Sequence, residues 1–342
     1  MSANDQSTTN EQRGIIGLAN LGNTCFMNAA IQAFRHCPEW TLFCKKGGQV
    51  EQYIKDPDTN PAKVLLAYQD LIQSIWAGNG PAYVKPHGFY NQLREIVKGT
   101  MYEEFTRRTP QDAHEFLVWL LDQMYMGTQM KVQMNQTNKG LPPMIQQAIT
   151  GWKTAFENQY SPLTDVIFGM MCVQYTCGGC KAVHSRWETF NVLKIPVGHN
   201  ASIQECIREE FHEEMIDGYA CDACKQRTQT KKKPMIWKLP KVLIITLKRF
   251  TPMGTRDNTP FAYDGKPICL DEFFHPESQE QTRKKEYKLF ATVDHYGNHM
   301  GGHYNAQCYT PIWNQWHRYD DESVYQIDKP QFGRETYILM MR

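Results

Sequence analysis

One cysteine in this sequence stands where thiol chemistry is easiest. In Asn23-Thr24-Cys25-Phe26-Met27 the thiol falls in the first turn of an amphipathic helix. Asn23 or Thr24 can cap its start, and Met27, Ala30, Ile31 and Phe34 recur at helical spacing as its buried face. Unpaired amide N–H groups and the helix dipole at that end favour a thiolate, the nucleophilic form of the side chain. A cysteine is also a good small buried apolar residue. Which reading holds turns on what else the chain supplies.

Four further cysteines have metal spacing. Cys177-Gly-Gly-Cys180 and Cys221-Asp-Ala-Cys224 each put two thiols on one tight turn, and two such turns complete a tetrahedral site. Four thiolates leave no open position, so the pattern predicts one structural zinc ion and no catalytic metal. The interval of about 40 residues between the pairs exceeds that of a simple ribbon, which points to an elaborated insertion.

His295, His299 and His303 recur every fourth residue, a spacing that on a helix would align three imidazoles. Gly297, Gly301 and Gly302 argue against that helix. His114-Glu115 begins like a zinc-protease helix, but Val118 stands where its second histidine belongs, which leaves His114 a structural use. Adjacent carboxylates Asp320 and Asp321 follow Trp316-His-Arg-Tyr319. If the strand continues to this point, alternation puts Asp320 with Trp316 and Arg318, and Asp321 with His317 and Tyr319.

Two kinds of element must position these groups. From Cys25 to about Leu121 the apolar periodicity is mostly helical: Val64, Leu65, Tyr68, Leu71 and Ile72 share a face, as do Phe89, Leu93 and Ile96. Thr109-Pro110 predicts a helix start, with Thr109 as cap. Residues 127 to 160 read as a connection with one helix. Beyond Pro162 short apolar runs predict strands at Val166 to Tyr175, Val192 to Val197, Met235 to Leu239, Val242 to Leu247, Tyr287 to Val293, Tyr304 to Thr310, Gln315 to Tyr319 and Thr336 to Met341. Ser202-Ile-Gln-Glu205 has capping-box spacing and predicts a helix between them.

Composition excludes several classes. The 342 residues carry a formal charge of +1, so no global field argues for nucleic acid or an acidic membrane surface. Residues 1 to 14 are polar and read as flexible, and the longest strongly apolar run, Val242 to Leu247, is too short for a bilayer. Eleven cysteines, two pairs at metal spacing, suit a reducing compartment, the cytoplasm or nucleus. Cys37, Cys44, Cys172, Cys206, Cys269 and Cys308 read as core thiols. Lys231-Lys-Lys233 reads as a solvated strand end.

Asn20-Leu-Gly-Asn-Thr-Cys25-Phe-Met-Asn resembles the cysteine box of the ubiquitin-specific proteases, papain-like thiol hydrolases that remove ubiquitin from proteins. Gln111-Asp-Ala-His-Glu-Phe116, the two Cys-x-x-Cys pairs, Leu239-Pro-Lys-Val-Leu-Ile-Ile-Thr-Leu-Lys-Arg-Phe250 and Gly301-Gly-His303-Tyr304 follow in that family's order. The resemblance implies an α+β papain-like fold with a helical lobe, a β lobe and a zinc-bearing β "fingers" insertion at about 165–240. The catalytic domain would span 15–342, after the segment 1–14. Cys25 would be the nucleophile, His303 its general base, Asp320 the acid that orients the base, and Asn20 a donor to the oxyanion. Asp112, Gly301, Gly302 and Tyr304 would line the channel for ubiquitin's C-terminal tail, the two glycines narrowing it to residues without side chains. His295 and His299 would belong to a mobile loop beside the cleft. Cys177, Cys180, Cys221 and Cys224 would hold the zinc. The expected activity is a cysteine-type deubiquitinase, working as a monomer on ubiquitin conjugates, with no nucleic-acid or membrane partner. Two rival functions follow the same residues: a protease for a ubiquitin-like modifier, and a non-catalytic ubiquitin-binding scaffold, which would need a missing triad member. None is missing.

Overall fold

The computed structural model describes residues 14–45, 49–77, 82–134, 140–198, 202–250, 255–279, 286–298 and 301–342. Residues 1–13, the Gly78-Asn-Gly-Pro81 stretch and His299 lie outside the described residues.

The first half is helical. Helices α1 (Cys25–Phe34), α2 (Pro38–Lys45), α3 (Asn60–Trp76), α4 (His87–Val97), α5 (Ala113–Gly127) and α6 (Pro143–Phe156) follow one another, with short strands β1 (Gly17–Leu18) and β2 (Tyr83–Val84) paired in parallel. Helix α5 starts later than Thr109-Pro110 suggests. Asp112 is its N-cap, accepting the amides of His114 at 2.7 Å and Glu115 at 3.0 Å. An aspartate there satisfies two of the amides that a helix start leaves open, so the helix begins where that acceptor stands.

The second half is sheet, preceded by the single turn α7 (Thr164–Ile167). Strands β3 (Gly169–Cys177), β4 (Val183–Phe190), β5 (Leu193–Ile195), helix α8 (Ile203–Glu210), β6 (Glu214–Ala220), β7 (Arg227–Lys238) and β8 (Leu243–Leu247) are followed by β9 (Ile268–Cys269), β10 (Glu286–Tyr287), β11 (Leu289–Asn298), β12 (Gly301–Thr310), β13 (Gln315–Asp320), β14 (Ser323–Ile327) and β15 (Thr336–Met341). Seven strands form one sheet in the order β14-β13-β12-β11-β15-β8-β5. Its pairs are antiparallel except β5 with β8. A separate antiparallel sheet in the order β4-β3-β7-β6 carries the two Cys-x-x-Cys turns at its end. The stretch expected as one insertion at 165–240 is therefore not one unit. β5 and α8 lie within it, yet β5 extends the large sheet and α8 packs behind it with Ile203 and Ile207.

Both faces of the large sheet are covered, which explains its unbroken apolar runs. Along β8, Ile244 joins the core under the helices, while Leu243, Ile245 and Leu247 join the second core beneath α8. Strand β15 alternates likewise, Ile338 and Met340 against Leu339 and Met341. Helix α1 is buried on every side, including Asn28 and Gln32. The amphipathic expectation fails here because α1 is sandwiched between β12 and α5. Its polar residues turn to backbone carbonyls instead: Gln32 donates to Ile16 at 3.0 Å and Asn28 to Leu18 and Ala19 at 3.2 Å each. The capping box at Ser202 and Glu205 forms as expected. Cys269, by contrast, is exposed on β9 and is no core thiol.

Candidate active site

Three chain segments meet at the start of α1. Cys25 is the first residue of that helix and is almost fully buried, His303 is the third residue of β12, and Asp320 is the last of β13. His303 Nε2 lies 2.5 Å from Asp320 Oδ1. The Cys25 thiol, as a hydrogen-bonding partner of the ring, is the main reason its pKa is pushed up to about 9. Partial burial opposes the shift, and the Asp320 carboxylate reinforces it. An imidazole between a thiol and a carboxylate can take the thiol's proton and hold it as an imidazolium whose charge the carboxylate balances.

Asn20 lies in the exposed loop before α1, and four hydrogen bonds fix it. Its Oδ1 accepts from the amides of Gly22 at 2.9 Å and Thr24 at 3.2 Å, its own amide donates to Glu322 Oε1 at 2.8 Å, and Nδ2 donates to Asp321 Oδ2 at 2.8 Å. Asparagine has two Nδ2–H donors, so one stays available. Thr24 occupies the N-cap position of α1, but its hydroxyl accepts from Leu21 at 2.9 Å and makes no cap bond. Asn23, at φ 56°, turns its side chain outward to the Arg108 carbonyl at 2.8 Å. Neither expected cap is used, and first-turn amides of α1 keep their capacity to bind an anion beside Cys25.

Asp321 is the group that sequence reasoning underused. Strand β13 ends at Asp320, and Asp321 turns away at φ 47°, so simple alternation does not describe it. The imidazole of His303 and the carboxylates of Asp320 and Asp321 all come within 4.8 Å of one another. Yet Asp321 accepts from Asn20 at 2.8 Å and from Asn28 at 2.7 Å. Only its place directly after Asp320 hinted at this.

A cleft runs between α5 and the ends of β8 and β15. Its cavity, about 560 Å³, is lined by Asp112, His114, Glu115, Lys194, Phe250 and Tyr337 among others. Asp112 thus lines the cleft, although its carboxylate also caps α5 and accepts from Tyr337 Oη at 2.8 and 3.0 Å. His114 joins the two lobes by a 3.0 Å bond between Nδ1 and Thr246 Oγ1. Its burial is the main reason its pKa falls to about 4, so the ring is neutral.

Tyr304 is buried, its ring 4.5 Å from that of His295. His295 is correspondingly buried in β11 and not in a mobile loop, because Tyr304 and Phe250 enclose its ring. The two glycines differ. A Cβ at Gly302 would lie 2.4 Å from His295 Nε2 and from the Tyr296 carbonyl, whereas one at Gly301 would meet Pro110 of the helical lobe at 3.7 Å. Gly302 is therefore required by packing within the β lobe, and Gly301 marks where the lobes approach.

The four paired cysteines converge at the end of the smaller sheet, with their sulfurs within 4.8 Å of one another. Cys180 and Cys221 are 3.6 Å apart, and Cys177 and Cys224 3.9 Å. Tetrahedral zinc with sulfur at about 2.3 Å separates its sulfurs by about 3.8 Å, so this donor set fits the ion. The two turns are built alike. Lys181 and Lys225, each just after the second cysteine, have φ of 63° and 59° and donate to the carbonyls of Cys177 at 3.1 Å and Cys221 at 2.8 Å. Lys231 and Lys232 nearby pair with Glu213 and Glu214 at 2.9 and 2.7 Å.

The sequence matches the family model described as ubiquitin carboxyl-terminal hydrolase over residues 16–341. The chain belongs to that family. Within it, the chain is 28% identical over 352 residues to ubiquitin carboxyl-terminal hydrolase 2 of Bos taurus, covering 98% of this chain and 56% of the relative. The Gallus gallus relative of the same name is 29% identical over 325 residues, covering 91% and 88%. The chain thus spans little more than half the length of the bovine relative. Its fold is similar to that of a solved SAGA Ubp8/Sgf11/Sus1/Sgf73 DUB module bound to ubiquitin aldehyde, with a TM-score of 0.73 at 20% identity over 96% of this chain and 70% of the other.

Proposed function

We propose that this chain is a thiol-dependent deubiquitinase, hydrolysing the peptide or isopeptide bond after the C-terminal glycine of ubiquitin through an acyl-enzyme on Cys25. The observation that carries this reading is the imidazole of His303, bonded to Asp320 and raised in pKa chiefly by the Cys25 thiol. A non-catalytic scaffold has no need of that alignment.

In the proposed reaction the Cys25 sulfur gives its proton to His303 and attacks the glycine carbonyl carbon. Charge on the carbonyl oxygen is taken by the second Nδ2–H of Asn20 and the Cys25 amide, donors worth about 3 kcal/mol each in comparable sites. Collapse breaks the C–N bond, and the lysine amine leaves with the proton from His303. Water then yields its proton to His303 and attacks the thioester, releasing ubiquitin's carboxylate and the free thiol. All these groups come from one chain, which supports a monomeric working unit. One zinc ion on Cys177, Cys180, Cys221 and Cys224 would fasten the smaller sheet and take no part in the reaction. A reducing compartment, the cytoplasm or nucleus, suits a chain that must keep Cys25 a free thiol.

Incubation with ubiquitin bearing a C-terminal electrophile, followed by peptide mapping, tests the proposal. One adduct at Cys25 is expected, and none with Cys25→Ala. An adduct elsewhere, or no adduct, overturns it. The same electrophile on ubiquitin-like modifiers decides between the two substrate classes.

A further inference from the structure

Asn28 lies one helical turn beyond Cys25, and its side chain is buried to within 1%. Its Nδ2 faces three acceptors: the carbonyls of Leu18 and Ala19 at 3.2 Å each, and Asp321 Oδ1 at 2.7 Å. The amide cannot be turned over, because Oδ1 would then face a carboxylate and two carbonyls. As it stands, Asn28 Oδ1 is buried without a partner. A buried orphan acceptor costs stability, so this amide is placed for what its nitrogen does.

The other oxygen of the same carboxylate, Asp321 Oδ2, accepts from Asn20 Nδ2 at 2.8 Å. One carboxylate is therefore gripped by two amides, one from inside the nucleophile's helix and one from the loop before it. Asp321 sits at φ 47°, in the left-handed region just after β13, and its carbonyl accepts from Leu18 N at 2.8 Å. The two grips fix the carboxylate, and it acts with the Gly22 and Thr24 amides on Oδ1 to set where the remaining Nδ2–H of Asn20 points.

We propose that Asn28 is a positioning residue for the oxyanion donor, acting through Asp321 so that the amide of Asn20 keeps register with the helix that carries Cys25. The benefit is geometric. A donor stabilises the transition state only if it lies within hydrogen-bond reach of where the oxyanion forms, and small displacements are costly. Tying both partners to α1 makes any shift of that helix move sulfur and donor together.

The inference rests on the deubiquitinase reading, and the two fail differently. The test is a double-mutant cycle on ubiquitin carrying a C-terminal fluorogenic amide. Asn28→Ala is expected to lower kcat about tenfold with KM within about twofold, short of the roughly hundredfold loss from removing a donor outright. In an Asn20→Ala background the same change should lower kcat no further, because the group it positions is gone. Alkylation of Cys25 by iodoacetamide, a displacement that forms no oxyanion, should stay within about twofold of the parent rate in every variant. Rates are expressed per Cys25 titrated, which removes any loss of folded protein. Asn28→Ser, which keeps a shorter donor, provides the cycle if the alanine variant does not fold, and should lie between parent and alanine. An unchanged kcat in these variants, or an equal loss in the Asn20→Ala background, overturns the inference and marks Asn28 as core packing. A parent chain that does not turn over the conjugate overturns the deubiquitinase reading itself.

Discussion

Asn20 donates its side-chain amide to Asp321 at 2.8 Å, while the neighbouring Asp320 meets His303 at 2.5 Å. Consecutive carboxylates thus belong to two different networks, one holding an amide donor and the other an imidazole. If Asn20 stabilises the oxyanion and Asp321 holds it in place, their removal should look alike. Asn20→Ala is expected to lower kcat about a hundredfold with little change in KM, because the donor meets charge present only in the transition state. Asp321→Ala should reproduce most of that loss, and the double variant should be no worse than the poorer single one. Steady-state kinetics on one fluorogenic ubiquitin substrate decide it, and multiplying losses would separate the two residues.

The pH profile should carry the signature of His303. Its pKa is raised from the usual histidine value to about 9, first by the Cys25 thiol and then by Asp320. A group whose folded pKa is raised contributes stability that is complete below the unfolded value near 6.5 and is lost as pH rises through about 9. Activity that uses the imidazolium should fall over the same alkaline range. Asp320→Asn should move that limb to lower pH, since the ring loses a charged partner, whereas Asp321→Asn should lower the plateau and leave the limb in place. Rate profiles from pH 6 to 10 check both, and an unmoved limb in Asp320→Asn would falsify the assignment of that carboxylate.

Zinc should act on the smaller sheet and not on the chemistry. Chelation, or Cys221→Ser, is expected to lower the melting temperature and to weaken ubiquitin binding, because site formation and local folding are coupled. Alkylation of Cys25 by a small electrophile should be unaffected. Elemental analysis of the purified chain should give one zinc per molecule, and its absence would remove the basis for this expectation.

Gly302 offers a test of the packing behind the base. A methyl group there meets His295 Nε2 and the Tyr296 carbonyl at 2.4 Å, and the carbonyl belongs to backbone that cannot swing aside. Gly302→Ala should therefore cost about 1–3 kcal/mol of stability, as overpacking does. It should also lower kcat by displacing the next residue, His303. Gly301→Ala, whose Cβ would meet only Pro110 at 3.7 Å, should fold normally and show its effect in KM. Thermal melts and kinetics on the two variants distinguish these outcomes, and an equal loss of stability in both would contradict the difference.

Local chemistry made much of this protein legible from its residues alone. Cys25 at a helix start, two Cys-x-x-Cys turns, a helical first half and a strand-rich second half all depend on neighbours in sequence, through dihedral preference, periodicity and ligand spacing. The family pattern added His303, Asp320 and Asn20. What sequence reasoning missed depends on contacts between distant segments. Alternation assumed a strand continuing through Asp321, but the chain turns at Asp320, and Asn20 and Asn28 from the other end of the molecule claim the next carboxylate. Periodicity read α1 as half exposed, since it cannot register that β12 and α5 cover both sides. It likewise left His295 in a loop, although the ring is enclosed by Tyr304 and Phe250. A local pattern states what a segment can become. Which side-chain atoms meet is decided by packing among segments hundreds of residues apart, where each polar group takes the partner that the assembled core leaves within reach.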